Sequence, residues 1–361
     1  MPVPSSTPRA IAALLLALAL VGCGSHSTSP HGAAGRTYAM GFSNFPPRLT
    51  PQSVLDNWAV WSLRADEAIF HISPAWTALL AGTNADTIVA ALHAPMAALY
   101  RARGMGITVT LDATDGLDRS AEAPELRAAG RSLTEPAVQL LYRQFALAVW
   151  KQLHPEHMAL AAEVNLIRAA APPSLYAAVK QVANDAITDL RAAGCTAKLS
   201  VSIQLEVVWG GLPPGSGYQG IATDLTDFPF MQEVPLSTYP YLGGFDTPEQ
   251  IPADYYARVR NEAGKPVRVV EGGWASETVS GIVSSRDEQA RYIRRQAELL
   301  DAASATAVFQ LSFADFALSS FPPPVPPNLP LFTTIGLADT NLAAKPALGA
   351  WDSTFARPRV R

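Results

Sequence analysis

Two acidic residues, each at the end of an apolar run, are the chain's strongest candidates for chemistry. In "PVRVVEGGWASE" a valine-rich run, Val267 to Val270, delivers Glu271 onto Gly272 and Gly273, with Trp274 next. In "MALAAEVNLI" the apolar run ends at Glu163, with Asn165 two residues on. A carboxylate where a strand gives way to a turn belongs to a site more naturally than to a core. Two such carboxylates across one cleft can cleave a glycosidic bond with retention, at a separation of about 5 to 5.5 Å. One attacks the sugar carbon; the other protonates the leaving oxygen and then activates water. Burial and mutual repulsion would push the two pKa values apart, separating acid from nucleophile.

The elements that must hold these residues alternate along the chain. Strand-like segments are "TYAMGFSNF", "EAIFHIS", "GITVTLDA", "HMALAAEVN", "KLSVSIQLEVVW", "EVPLSTYPYL", "PVRVVEGG" and "TAVFQLSF". Helical spacing fills the gaps between them, as in "TPQSVLDNWAVWSLRA", "TEPAVQLLYRQFALAVWKQL" and "RDEQARYIRRQAELLDAAS". Pro95 is expected to kink or split the helix over residues 85–103, and Gly194 to close the one before strand five. A doubly wound open sheet uses the same alternation. Eight repeats, with both carboxylates at C-terminal strand ends, favour an α/β fold of the single (β/α)8 TIM barrel type, in which those ends share one pocket.

"AAEVN" in strand four, "STYPY" in strand six, "VVEGGW" in strand seven and "KPALGAW" in the last helix resemble the retaining (β/α)8 glycosidases of glycoside hydrolase clan A. The family 53-like endo-β-galactanases are similar in their strand-six Tyr-Pro segment and in a strand-seven glutamate followed by glycine. The resemblance implies Glu163 as acid/base, Glu271 as nucleophile and Tyr239 as the residue holding the nucleophile's carboxylate. It implies a retaining β-glycoside hydrolase acting on a galactan- or glucan-type polysaccharide or oligosaccharide. The clan usually carries asparagine directly before the acid/base; Ala162 stands here, with Asn165 as a substitute. Strand two lacks the arginine often found near the nucleophile. These departures motivate an alternative, a non-catalytic carbohydrate-binding lipoprotein with a degenerate glycosidase barrel.

Several further residues are candidates for substrate binding. Trp76, Trp209 and Trp274 each follow a strand and can stack on sugar rings. Asp112 and Asp115 end strand three; Asp112 is taken as a contact to substrate hydroxyls, although turn formation also explains both. His71 reads as a packing histidine rather than a site residue. "GSGYQG" reads as a flexible loop, because it follows a Gly-Pro stretch rather than a tight strand-to-helix junction. "HPEH", residues 154–157, enters strand four at the end of a barrel that serves stability. No metal site and no cofactor are expected, and no serine-hydrolase elbow or Walker loop is present.

The 361 residues are 48% hydrophobic with a net charge of −4, enough for a large core and without the basic footprint of a nucleic-acid partner. After Arg9 comes an apolar run, Ala10 to Val21, too short to span a bilayer and suited to a secretory signal. "LALVGC" resembles a bacterial lipobox, which implies lipidation at Cys23 and a membrane-anchored protein of the cell envelope. Gly24, rather than aspartate, follows the cysteine, which favours the outer membrane in a cell that has one. The expected organisation is a signal peptide over residues 1–22, a tether over residues 23–35 and a glycosidase-like domain over residues 36–361, acting as a monomer. Cys195, the second of two cysteines, has no disulfide partner once Cys23 is lipidated and reads as a small core residue.

Overall fold

A computed structural model describes residues 35–213 and 215–360. The expected signal peptide, Cys23 and the expected tether up to residue 34 lie outside the described residues. Eight parallel strand positions form the barrel. They are β1 (Ala39–Ser43), β2 (Glu67–Ile72), β3 (Gly106–Leu111), β4 (His157–Ala159), β5 (Lys198–Ser200 and Ile203–Gln204), β6 (Val234–Thr238), β7 (Val267–Gly272) and β8 (Ala307–Gln310). Neighbours in sequence are neighbours in the sheet, and β8 returns to β1 in parallel register, Ala39 facing Ala307. The two halves of β5 close the ring. Lys198–Ser200 pairs with β4, and Ile203–Gln204 pairs with β6. The fold is a (β/α)8 barrel.

The strands are buried on both faces, which is why they read as nearly continuous apolar runs. Met40, Phe42, Val109, Leu199, Leu236 and Val308 face the helices and belong to the main core. A smaller cluster of Ala39, Ile69, Val270, Ala307 and Phe309 fills the barrel interior. Gly41 is required there, since a Cβ would lie 2.1 Å from the Glu67 carbonyl oxygen and 2.7 Å from the Phe309 ring. Below that layer Arg268 donates to Glu67 Oε2 at 2.9 Å and to Thr108 Oγ1 at 2.8 Å. His157 Nδ1 lies 2.8 Å from Glu233 Oε1. The "HPEH" histidine thus joins a polar network at the strands' N-terminal end, and no cluster suited to a metal ion occurs among the described residues.

The helical layer follows the expected order, with one split. Pro95 sits at the start of Ala94–Ala102, just after Ala85–Leu92 ends at His93. Its ring can stand in a helix's first turn, where the missing N–H is not needed. Helix Pro173–Ala192 stops before Gly194, whose φ of +84° is the left-handed form that ends helices. Residues Leu205–Val208, expected to extend strand five, form a helical turn instead. The Gln204 side chain caps that turn by accepting from the Val207 amide at 3.0 Å. Cys195 is buried, 4% exposed.

Candidate active site

Strand β4 carries Glu163 into the pocket by staying bonded to β5 beyond its last ladder residue. Ser202 N donates to Ala161 O at 2.9 Å, and Val164 N donates to Ser202 O at 3.0 Å. Glu163 then takes a left-handed backbone, φ 48° and ψ 46°, before helix Val164–Ala170 begins. That conformation costs a non-glycine residue on the order of 1 kcal/mol and is tolerated where the surroundings fix it. Here the Glu163 amide donates to Ser202 Oγ at 2.9 Å.

Glu271 reaches the same cavity through a register shift. Arg268 and Val270 point into the barrel, so strict alternation would turn Glu271 outward. The pairing of β7 with β6 slips between Val269 and Glu271, so that Val269 faces Leu236 and Glu271 faces the very next residue, Ser237. The extra residue re-aims the carboxylate toward the cavity, a common use of a bulge. Tyr239 donates to Glu271 Oε1 at 2.7 Å. Tyr239 is itself set by Glu206, a buried carboxylate whose Oε1 accepts from the Tyr239 amide at 2.9 Å, from Thr238 Oγ1 at 2.7 Å and from Tyr255 at 2.6 Å.

Both glutamates line one cavity of about 650 Å³ at the C-terminal strand ends, with Asp112, Arg119, His71 and Tyr239. Arg119 is buried between two acids. Its Nε donates to Glu163 Oε2 at 2.8 Å, and its Nη1 donates to the two Asp112 oxygens at 2.6 and 2.7 Å. It enters on a hairpin, Thr114–Asp115 with Asp118–Glu122, that follows β3. Glu271 has no cation so close; its neighbours are the Tyr239 hydroxyl and His71 Nε2 at 3.5 Å. Burial, then the charge of Glu163, pushes the Glu271 carboxyl up to about 8, with Arg119 and the Tyr239 hydrogen bond pulling the other way. Burial pushes His71 down to about 4, so at neutral pH it is an uncharged neighbour. The two glutamates therefore keep one proton between them at neutral pH, and Arg119 donates to the Glu163 member of the pair.

The other expected site residues divide sharply. Asp112 lines the cavity, but its carboxylate is taken up by Arg119. Ala162, where the clan usually has asparagine, also lines it. Asn165 does not substitute: it is 2% exposed, and its side chain clamps β4 to β5 by giving to Gln204 O and taking from Gln204 N, both at 2.8 Å. None of the three tryptophans lines the cavity. Trp76 is fully buried and stacks on Tyr142. Trp274 is 1% exposed, donates to Ser284 Oγ at 3.0 Å and packs on Tyr292. Trp209 packs on Tyr255, to whose carbonyl it donates at 3.2 Å, outside the cavity lining.

Two residues were not legible as site residues. His71, read as packing, faces Glu271, and its position at the end of β2 was the available signal. Arg119 gave none, since its hairpin has no regular period.

No protein-family model matches the chain, and no curated protein matches it in sequence. Solved structures do resemble it. The exo-β-1,4-mannosidase Op5Man5 from Opitutaceae bacterium strain TAV5 superposes with a TM-score of 0.65 at 13% identity, over 89% of this chain and 59% of the mannosidase. GH5_18 from Streptomyces cattleya, in complex with GlcNAc, gives 0.62 at 14% identity over 91% and 83%. A GH5_18 variant from Bifidobacterium longum, in complex with Manb1-4GlcNAc, gives 0.61 at 15% identity over 90% and 80%. This chain thus spans less than two thirds of the mannosidase's length, and at these identities the likeness establishes a shared (β/α)8 barrel fold.

Proposed function

We propose that this protein is a retaining β-glycoside hydrolase acting on a polysaccharide or oligosaccharide, with Glu271 as nucleophile and Glu163 as acid/base. The observation that carries the reading is the pair itself: two carboxylates from β4 and β7 in one cavity, close enough that the charge of one raises the pKa of the other, with Tyr239 donating to Glu271. Such a pair can share one proton between nucleophile and acid. Mannosidic, glucosidic and galactosidic bonds are all candidates for the bond cleaved. The test is a panel of nitrophenyl β-glycosides followed by proton NMR. Retention predicts that the β-anomer of the free sugar forms first and that Glu271→Gln stops release; first appearance of the α-anomer would contradict it.

Two observations favour a second reading, a non-catalytic carbohydrate-binding protein. Ala162 offers no side-chain donor beside Glu163, and one Glu163 oxygen, Oε2, already accepts from the buried Arg119 guanidinium. Calorimetry separates the readings, since a binder gives heat with glycans while releasing no reducing ends. We also propose, from the lipobox-like segment ending at Cys23, that the chain is lipid-anchored in the cell envelope. Loss of metabolic fatty-acid labelling in Cys23→Ala would support this, and retained labelling would refute it.

A further inference from the structure

The cavity has two chemistries. Its charged floor holds Asp112, Arg119, Glu163, Glu271 and His71, enough polar groups for one sugar ring. Around that floor the lining is mostly hydrocarbon, eight leucines and four phenylalanines with no tryptophan, against a few polar side chains such as Ser73, Asp118, Ser120 and Asn328. The apolar side chains come from the segments after at least six strands, Phe45 and Leu49 following β1 and Leu166 following β4. Leu117 is on the hairpin after β3, Leu212 follows β5, Leu242 follows β6, and Phe321, Leu329 and Phe332 follow β8. At least two of the rim's apolar residues are open to solvent, Leu49 at 50% and Phe45 at 37% exposed. The loop after β8 is held over this space by Asn328, whose side-chain amide donates to the Leu117 carbonyl at 2.7 Å.

A second sugar ring next to the reacting one would bring several hydroxyls into this wall. Each hydroxyl leaving water needs a partner, and a wall made mostly of leucine and phenylalanine supplies few. The flat indole faces that commonly accept a sugar ring are also absent, because Trp76 and Trp274 are core residues and Trp209 lies outside the lining. A hydrocarbon group meets no such cost and gains from every methylene it buries. Leucines converging from several strand ends also form an irregular apolar slot, which suits a flexible chain better than a planar ring system.

We propose that the group attached to the sugar in this cavity is apolar, so that the ligand is an amphiphilic glycoside of the glycolipid class rather than a longer oligosaccharide. This rests on the carbohydrate reading of the floor and narrows its substrate class. The charged floor takes the single sugar, and the leucine and phenylalanine wall takes the first part of the alkyl or acyl chain.

The test is a homologous series of methyl, butyl and octyl β-glycosides of glucose, mannose and galactose, kept below micelle-forming concentrations. Binding is measured by calorimetry and turnover by sugar release, on the wild-type protein. Affinity should rise by about two- to fourfold per methylene, the upper figure being full burial of each CH2. Replacing Leu212→Asn and Phe321→Asn together should flatten that dependence, which places the chain against the wall rather than on unrelated surface. If affinity climbs with chain length while nothing is hydrolysed, the hydrolase reading fails and this inference stands. If sugars are released at rates and affinities indifferent to chain length, the hydrolase reading stands and this inference is overturned. Chain-length dependence that survives the double replacement, or a trisaccharide binding as tightly as the octyl glycosides, also overturns it.

Discussion

Replacing Glu271 by glutamine should change how stability depends on pH, and the size of the change follows from the cavity. Glu271 goes from the usual 4.5 to about 8 in the folded chain, chiefly through burial and secondly through the charge of Glu163. The folded state therefore binds this proton more tightly than the unfolded state. The stability it contributes is fully present below pH 4.5 and is lost as pH rises through about 8. At about 1.4 kcal/mol for each pH unit, the whole change is worth about 5 kcal/mol. That figure is a ceiling, because water entering the cavity relieves part of the charging cost. Glutamine keeps the shape and the acceptor for Tyr239 but has no proton to lose. Urea unfolding at pH 5, 6.5 and 8.5 should show Glu271→Gln gaining on the wild type across that range, by several kcal/mol. Glu163→Gln should show part of the same gain, since it removes the second cause and leaves the first. A difference between Glu271→Gln and wild type that stays flat within about 1 kcal/mol from pH 5 to 8.5 would refute the reasoning.

Three other outcomes follow from the same geometry. A hydrolase using this pair needs one proton on it, and the last proton leaves at about pH 8, so kcat/KM should fall above that pH; a profile still rising at pH 9 would exclude the pair as the catalytic groups. Arg119→Met strands Asp112 and Glu163 together without a cation and should cost about 3–5 kcal/mol in urea unfolding; a cost below about 1 kcal/mol would mean the guanidinium is not holding them. Trp76→Ala should lose about 3–5 kcal/mol of stability through its core cavity, whereas Trp76→Phe should leave methyl glycoside affinity unchanged; a large drop in that affinity would return Trp76 to the binding surface.

The barrel was legible because two-sided burial writes itself into the chain. Runs such as Val267–Val270 must be apolar on both faces, and the helices between them carry their own period and stops at Pro95 and Gly194. The strand ends bearing Glu163 and Glu271 were legible for the same reason, being polar residues where apolar runs break off, whereas Tyr239 came from the resemblance carried by "STYPY". What the pattern could not convey is register. Simple alternation from Val270 turns Glu271 outward, and only the slip against β6 brings it into the cavity. Nor could it convey where long side chains go after a strand ends. Trp76 and Trp274 turn back into the helical layer, where burying a large ring stabilises more than exposing it. Asn165 serves the β4–β5 junction because buried backbone groups there need partners. Arg119 was invisible, since its position depends on a hairpin folding over β3 and on two acids that meet only in three dimensions.

The central claim, that Glu271 attacks the sugar and Glu163 assists, is tested most directly by azide rescue with an activated nitrophenyl β-glycoside. Glu271→Ala should stop turnover, and azide should restore it by entering the vacated place, giving a glycosyl azide of α configuration. Glu163→Ala should slow turnover by about 10²- to 10⁴-fold, and azide should there attack the covalent intermediate, giving the β-azide. The reverse pairing of configurations would exchange the two roles, and full activity in Glu271→Ala without azide would contradict the account.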